Sequence, residues 1–394
     1  MCQFHSTLSH AAVRADARDR LARGLRLRDC GAKLPAERLA DLLLLMAGWG
    51  LSLCGLFAAL RGLRCCYETA RLALRANLPG HDELLERLRA CLLDVVPARL
   101  LRRRRDWDVA IDLHDVPYYG ERDGAPGARR GQRKGGTDTY FTFATAVLLN
   151  HGCRYTVGLL PVQSPKPEPA VRLLLGQLRQ AGVRVRRLLL DRGFYAAEVV
   201  RLLQERRVPF IVPVIRRGRL GDGGKASGTL AFFRKSRGGL FTYRWRRRGK
   251  KNGSEVEVQV AVTSAPGRRG KRRRRLVYAY WGLGAVSGPW LAAQYKRRFG
   301  IETSYRQLRQ GLAPTSSKDA RVRLLLVGLA LLLRNVWVRL HGEVLARRRG
   351  GRRVLQLHRL RLGLLLLWLG LAVAEELGLV LALDLDPGEP AKVA

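Results

Sequence analysis

The 394-residue sequence predicts an α/β protein in which a mixed five-stranded sheet with flanking helices lies between two helical regions. Three observations lead to this class. Residues 1–105 carry apolar runs at helical spacing, and residues 319–383 are again helical and rich in leucine. Between them, residues 106–215 alternate short segments of β-branched and aromatic residues with helical segments.

Five segments of the middle region are expected to be strands, because apolar, β-branched and aromatic residues cluster in them. They are Val109–Val116, Tyr140–Leu149, Tyr155–Val162, Val183–Leu190 and Val208–Ile215. Helical segments at Ala170–Gln180 and Ala196–Glu205 precede the fourth and the fifth strand. The first three strands are therefore expected to form a meander, and the last two, which need a helical crossover, are expected to be parallel.

Residues 216–285 depart from this pattern and predict a β-rich insertion. They are rich in Gly and Arg, with short strands expected at Phe241–Arg246, Glu255–Thr263 and Leu276–Trp281. Five regions are therefore expected along the chain. They are a helical N-terminal region at 1–105, a first part of the core at 106–215, the insertion at 216–285, a second part of the core at 286–312 and a helical C-terminal region at 313–394.

The charge of the chain indicates a polyanionic partner. Lys and Arg number 73 against 32 Asp and Glu, which gives a formal net charge of +41. A composition bias toward arginine could raise the number of cations, but it does not explain why so few acids compensate them. Because nucleic acid is the largest common polyanion, a nucleic-acid partner is expected.

The cysteines and the apolar segments argue against a zinc-finger protein and a membrane protein. The seven cysteines form no C-x-x-C pair and no cluster with zinc-finger spacing, and they fit a reducing cytoplasm. The apolar runs Leu324–Leu333 and Leu362–Ala374 are shorter than the ~20 residues that cross a bilayer. Both are expected to be buried helices, and no membrane is expected among the partners.

A helix expected within residues 289–310 carries an unusual polar face. The residues of this face are Tyr295, Arg298, Glu302 and Arg309. Their spacings of 3, 4 and 7 residues place them on one narrow side at about 100° per residue. An Arg298–Glu302 ion pair would account for two of the four. It leaves the tyrosine and the second arginine unexplained, and a functional site is therefore favoured.

Two further carboxylates belong to the predicted sheet. Asp112 lies within the first strand, and Asp191 directly follows the fourth, at a carboxyl end where open sheets place ligand sites. An aspartate after a strand is also common as a helix cap. Asp115 is the alternative to Asp112, since the two point to opposite faces of an extended strand. Asp112 is favoured because it lies inside the apolar segment, whereas Asp115 precedes Pro117, where the strand ends.

Three segments resemble motifs of the DDE transposases of bacterial and archaeal insertion sequences. YKRRFGIETSYRQLR, residues 295–309, resembles their Y-x2-R-x3-E-x6-K signature, with Arg309 in place of the lysine. LLLDRGF, residues 188–194, is similar to the second aspartate motif of the family, and VAIDLHD, residues 109–115, to the first. Arginine keeps the positive charge of the lysine, but the exchange is not neutral at a tight site.

The resemblance implies an RNase H-like core whose catalytic residues are Asp112, Asp191 and Glu302. These carboxylates would hold two Mg²⁺ ions, with Mn²⁺ as a substitute, since Mg²⁺ prefers oxygen ligands. The DNA-binding residues that it implies are Tyr295, Arg298 and Arg309 of the helix and Trp245 of the insertion. Trp245 would stack on a displaced base, and packing of the small sheet is the alternative role for it.

The resemblance also implies the activity, which is cleavage at the ends of an insertion sequence and strand transfer into target DNA. The expected partners are the terminal inverted repeats and the target DNA, and the pairing of two ends implies a homodimer on DNA. The N-terminal region is expected to bind the ends, in the cytoplasm at the nucleoid. Two alternatives stay open: a catalytically inactive transposase-derived DNA-binding protein, and another RNase H-like DNA nuclease.

Overall fold

Two compact units make up the computed structural model of the chain. The first combines Met1–Val95 and Arg306–Ala394, from the two ends of the sequence, with Asp123–Pro126. The second consists of Val96–Arg122 and Gly127–Tyr305. The structure describes residues 7–31, 34–102, 106–149, 153–221, 224–245, 255–265, 274–298, 307–349 and 352–382.

Helices and strands are numbered along the chain. The helices are α1 (His10–Leu25), α2 (Ala36–Trp49), α3 (Leu53–Ala59), α4 (Tyr67–Asn77), α5 (His81–Asp94), α6 (Ala98–Arg102), α7 (Pro167–Gln180), α8 (Ala197–Glu205), α9 (Leu230–Phe233), α10 (Gly288–Lys296), α11 (307–311), α12 (Ala320–Leu340) and α13 (Leu362–Leu377). The strands are β1 (Leu60–Arg61), β2 (Asp106–Tyr118), β3 (Arg129–Lys134), β4 (Thr137–Leu149), β5 (Arg154–Val162), β6 (Arg184–Leu190), β7 (Phe210–Pro213), β8 (Gly239–Trp245), β9 (Val256–Ala265), β10 (Arg274–Trp281), β11 (Arg347–Arg349), β12 (Arg352–Val354) and β13 (Val380–Leu381).

The second unit is built on one mixed sheet, which has nine strands within the described ranges. Strand β2 pairs antiparallel with β4, and β4 pairs antiparallel with β5, so these three form the expected meander. On the other side of β2, β6 and β7 follow in parallel, as expected. Helix α7 connects β5 to β6 and helix α8 connects β6 to β7, which are the crossovers that parallel strands require.

The sheet is larger than the five strands expected from the sequence. Strand β10 pairs antiparallel with β7, and β9 and β8 continue beyond it, so the strands of the predicted insertion extend the same sheet. Strand β3, which the residue pattern does not predict, pairs with the start of β4. The sheet extends because the backbone N–H and C=O groups on the outer edge of β7 form hydrogen bonds with β10.

Apolar helices form the first unit. Helix α2 packs against α13, and α5 packs against α12. Almost every residue of α12 is buried, as expected for Leu324–Leu333. Among the described residues, one helix, from Ala320 to Leu345, is long and apolar enough to cross a membrane, and 94% of its apolar stretch is buried within the protein. Helices α2 and α3 are long and apolar enough only when they are taken together, and a bend of 88° separates them.

Helix α13 is buried on one side only. Leu365 and Leu369 are fully buried, whereas Leu364, Leu367 and Leu371 are 39%, 45% and 41% exposed. The expectation of a buried helix over the second apolar run is therefore correct for one face and wrong for the other. Leucine on every side of a helix does not indicate how many of its sides are covered by packing partners.

Candidate active site

Two adjacent parallel strands bring two carboxylates together. Ile111 of β2 is in register with Leu190 of β6, so the next residues along the two strands are neighbours. These residues are Asp112, which lies within β2, and Asp191, which directly follows β6. The structure therefore places side by side the two aspartates that the sequence singles out.

The two aspartates differ in their exposure to solvent. Asp112 is 8% exposed, and its Oδ1 accepts a hydrogen bond of 2.9 Å from the amide of Leu113. Burial raises the pKa of Asp112 to about 6; the charge of Arg298 opposes this increase, and the charge of Asp191 adds to it. Asp191 is more open, with 43% of its side chain exposed. The site thus joins a buried acid to one that solvent reaches.

Arg298, which follows the end of α10, connects the two carboxylates. Its Nη1 donates to Oδ2 of Asp112 at 2.7 Å, and its Nη2 donates to Oδ1 of Asp191 at 2.9 Å. Only 5% of the arginine side chain is exposed. Burial by itself lowers the pKa of this guanidinium, but the charges of Asp112 and Asp191 together with the contact with Tyr295 outweigh that effect and leave the pKa raised. One cation therefore bridges two acids that repel each other.

Tyr295 supports Arg298 from the last turn of α10. Its hydroxyl accepts a hydrogen bond of 2.8 Å from Nε of Arg298, and its ring packs against Tyr278 at 5.1 Å between centroids. It is 5% exposed, and burial raises the pKa of its hydroxyl. Tyr295 and Arg298, which were expected to contact DNA, are thus buried within the site. Arg298 pairs there with the carboxylates, and Tyr295 binds Arg298.

Asp115, the alternative to Asp112, has other partners. It accepts a hydrogen bond of 2.7 Å from the hydroxyl of Thr142, and it lies 3.5 Å from Nη2 of Arg129. Its side chain is 40% exposed. Residues three apart on an extended strand point to opposite faces. The structure thus places Asp112, and not Asp115, beside Asp191.

A third aspartate of β2, Asp108, is the centre of a second ionic cluster. Its side chain is 0% exposed and accepts hydrogen bonds from Arg186 at 3.0 Å, from Arg187 at 2.7 Å and from Arg297. Burial raises the pKa of this carboxyl, but the hydrogen bonds from the arginines more than offset the increase and leave the pKa lowered. Asp108 is therefore a buried, ionised anchor for three cations.

This Asp108 cluster is the part of the site that sequence reasoning missed. One signal was the spacing, since Asp108 and Asp112 are four residues apart and so share one face of the strand. The other was the consecutive pair Arg297 and Arg298. In the structure the first arginine binds Asp108 and the second binds Asp112, so the end of α10 is fastened to β2 at two points. The chain continues from there to Glu302.

Three other residues were expected at the site. Glu302 lies outside the described residues. Arg309 is exposed on α11, which belongs to the first unit. Trp245 is half-buried at the end of β8, where its ring packs against Tyr195 at 5.0 Å and against Tyr243 at 5.1 Å. The position of Trp245 corresponds to the packing role more closely than to a free stacking surface.

The donor atoms suit a hard divalent cation. Asp112 and Asp191 offer carboxylate oxygens, and Mg²⁺ is commonly bound by one or two carboxylates together with water and substrate phosphates. Within the described ranges, no group of three or more His, Cys, Asp and Glu side chains could hold a metal ion. The two aspartates therefore fit magnesium as a partial set of ligands.

Comparison with known proteins identifies the family. A family model described as Transposase DDE domain matches residues 103–335, and the chain belongs to this family. At this level it is a transposase, an enzyme of DNA cleavage and strand transfer, and the family generally depends on divalent metal ions. No curated protein matches the sequence.

Among solved structures, the chain is similar to a piggyBac transposase in a synaptic complex with hairpin DNA, determined by cryo-EM. The two are 10% identical with a TM-score of 0.52, and the match covers 96% of this chain and 82% of that chain. At this identity the similarity concerns the fold alone, which has a mixed sheet and many helices.

Proposed function

We propose that the chain is a metal-dependent DNA transposase in which Asp112, Asp191 and Glu302 are the catalytic carboxylates. The observation that carries the proposal is the guanidinium of Arg298, which binds both aspartates. Glu302 follows this arginine by four residues in the sequence. The residue from which the chain runs on to Glu302 is thereby attached to the first two acids. Three carboxylates from distant segments are what a two-metal site for phosphodiester cleavage requires.

The carboxylates would hold Mg²⁺, with Mn²⁺ as a substitute, and Asp112 would be shared by two ions. Two bound Mg²⁺ ions supply activation of the nucleophile and stabilisation of the leaving oxygen of the phosphodiester. The chain itself holds the carboxylates together and places cationic side chains near the scissile phosphate. The proposed reaction is a hydrolytic cut at the end of an insertion sequence, followed by attack of the freed 3′-hydroxyl on target DNA.

The order of strands β5-β4-β2-β6-β7 supports an RNase H-like core for the proposed enzyme, since it places the Asp112 strand between the meander and the parallel pair. We propose residues 1–105 as the region that binds the terminal inverted repeats. A homodimer on DNA follows from the need to hold two ends for joined insertion. The proposed place of action is the nucleoid of a bacterial or archaeal cytoplasm.

The proposed DNA contacts are Tyr295, Arg298, Arg309 and Trp245. The exposed guanidinium of Arg309 supports a phosphate contact, because arginine presents a planar fork to phosphate oxygens. Trp245 is only half-buried, so part of its ring is open to a base. Tyr295 and Arg298 are buried, and the guanidinium is bound to the carboxylates. Their contact with DNA therefore requires the arginine side chain to move.

The proposal is tested by incubating the protein with Mg²⁺ and the DNA that flanks its own gene, and then mapping the 3′-ends. We expect cuts at the boundaries of the element that disappear with EDTA and with Glu302→Ala, while binding of the ends persists. Binding without cleavage by the wild-type protein would favour the inactive descendant. Metal-dependent cuts without preference for the boundaries would favour another nuclease.

The affinity for metal is expected to depend on pH through Asp112. Its pKa of about 6 means that about nine in ten molecules carry a proton on this carboxyl at pH 5, and about one in ten at pH 7. Because the metal binds the ionised form, affinity should rise about tenfold from pH 5 to pH 7 and then level off. Calorimetric titration with Mn²⁺ in the absence of DNA measures this, and an affinity that is constant over the range would contradict it.

A further inference from the structure

We infer that Arg298 competes with the metal ion for Asp112 and Asp191, and that its guanidinium leaves them when the metal binds. The inference rests on the proposed function, since it takes the two aspartates as metal ligands. It adds a regulatory role to the arginine: the same side chain holds the acids together without metal and becomes available to DNA when the metal is present.

The hydrogen bonds of Asp112 are the first step of the argument. Its Oδ1 accepts the amide of Leu113 at 2.9 Å, and its Oδ2 accepts Nη1 of Arg298 at 2.7 Å. Both carboxylate oxygens therefore already have a donor. Because the backbone amide is fixed by strand β2, the oxygen that can change its partner is the one that faces the arginine.

The charge of the arginine is the second step. The guanidinium binds both acids, and only 5% of the side chain is exposed, so little water separates it from a cation at the same oxygens. A lysine or a histidine could lose its proton when a metal arrives, but arginine remains charged in proteins. The repulsion is therefore relieved by movement of the side chain and not by deprotonation.

The surroundings of Arg298 allow such a movement to be local. Arg297 holds the end of α10 to Asp108, and Tyr295 is fixed by packing against Tyr278. The backbone thus stays anchored when the contacts of Arg298 with the acids are lost. A released guanidinium offers a planar pair of donors to a phosphate, so we expect metal to bind before Arg298 engages DNA.

The test is calorimetric titration of the full-length chain with Mn²⁺, without DNA, comparing wild type with Arg298→Gln. A like charge within about 4–6 Å commonly shifts a binding equilibrium of a neighbouring group tenfold or more, so the variant should bind Mn²⁺ at least about tenfold more tightly. Lys296→Gln is the matched control. It removes the same charge two residues earlier, from an exposed position on α10, and its affinity should stay within about twofold of wild type.

Thermal unfolding supplies a second measurement. Without metal, Arg298→Gln should unfold at a lower temperature than wild type, because two acids lose their cation. Saturating Mn²⁺ should then raise the melting temperature of the variant by more than that of wild type. If the glutamine variant does not fold, Arg298→Lys is titrated instead. A single ammonium group cannot reproduce the paired donors, so severalfold tighter binding than wild type is expected.

Unchanged or weaker Mn²⁺ binding by the Arg298 variants overturns the inference, since the arginine would then assist the metal site and not compete with it. That outcome leaves the proposed function intact. Absence of Mn²⁺ binding in both the folded wild type and the folded variants overturns the metal assignment of Asp112 and Asp191, and the inference with it. Tighter binding by Arg298→Gln alone, with Lys296→Gln unchanged, supports the competition.

Discussion

Replacement of Asp112 by asparagine should reduce metal-dependent DNA cleavage by about 10³-fold or more, because two-metal catalysis contributes several kcal/mol and each 1.4 kcal/mol is a factor of ten. Asparagine has nearly the same shape, so the strand should keep its packing. Its amide lacks the negative charge that holds the cation. The measurement is the rate of cleavage of end DNA at saturating Mg²⁺, together with the affinity for the same DNA in EDTA.

Asp115→Asn is the matched control for this experiment. It makes the same chemical change three residues further along strand β2, where the side chain is 40% exposed and contacts Thr142. We expect its cleavage rate to stay within about threefold of wild type, the range of an exposed polar substitution away from the chemistry. A loss of cleavage in Asp115→Asn combined with an active Asp112→Asn would show that the first carboxylate is misassigned.

Replacement of Asp108 by alanine should lower the free energy of unfolding by about 3–5 kcal/mol, the cost of removing one partner from a buried ion pair. The carboxylate is completely buried and accepts hydrogen bonds from three arginines, of which Arg187 is itself only 6% exposed. Without Asp108, Arg187 would lose its counter-charge in a poorly solvated position, whereas Arg186 and Arg297 are 56% and 36% exposed. Equilibrium unfolding in urea measures the change.

The control for this substitution is Asp106→Ala at the start of the same strand. Asp106 pairs with Arg184, and both side chains are more than half exposed, so the expected loss is about 0–1 kcal/mol. The pKa of Asp108 is lowered by its arginines, so its stabilising contribution is fully present above the ordinary pKa of an aspartate and is lost as the pH falls from there through the lowered value. Equal effects of the two substitutions would refute the anchoring role of Asp108.

The sequence allows the central part of the fold to be predicted, since short apolar segments separated by helical ones define β2, β4, β5, β6 and β7 and their directions. It does not show that β8 to β10 extend the same sheet, because the residue pattern of a strand does not indicate which other strand pairs with its edge. The neighbouring positions of Asp112 and Asp191 follow from adjacent parallel strands.

The partners of Arg298 could not be predicted from local spacing. The helical pattern suggests an ion pair with Glu302, which lies outside the described residues. It gives no indication of the two acids that the arginine binds in the structure, which are 186 and 107 residues distant in sequence. The role of Asp108 could not be predicted for a similar reason. An acid within an apolar strand looks isolated until the arginines of β6 and of the segment after α10 are folded against it.

The two consecutive arginines at the end of α10 also have a consequence for the order of folding. Arg297 and Arg298 bind carboxylates four residues apart on one strand, so this segment docks correctly only in a single alignment. Arg298 further requires Asp191, which is in position only after β6 has joined β2. In the order of folding, the contacts of Arg298 with both acids can form only once β6 is paired with β2. A partly folded chain without that pairing would therefore lack the link between the two aspartates.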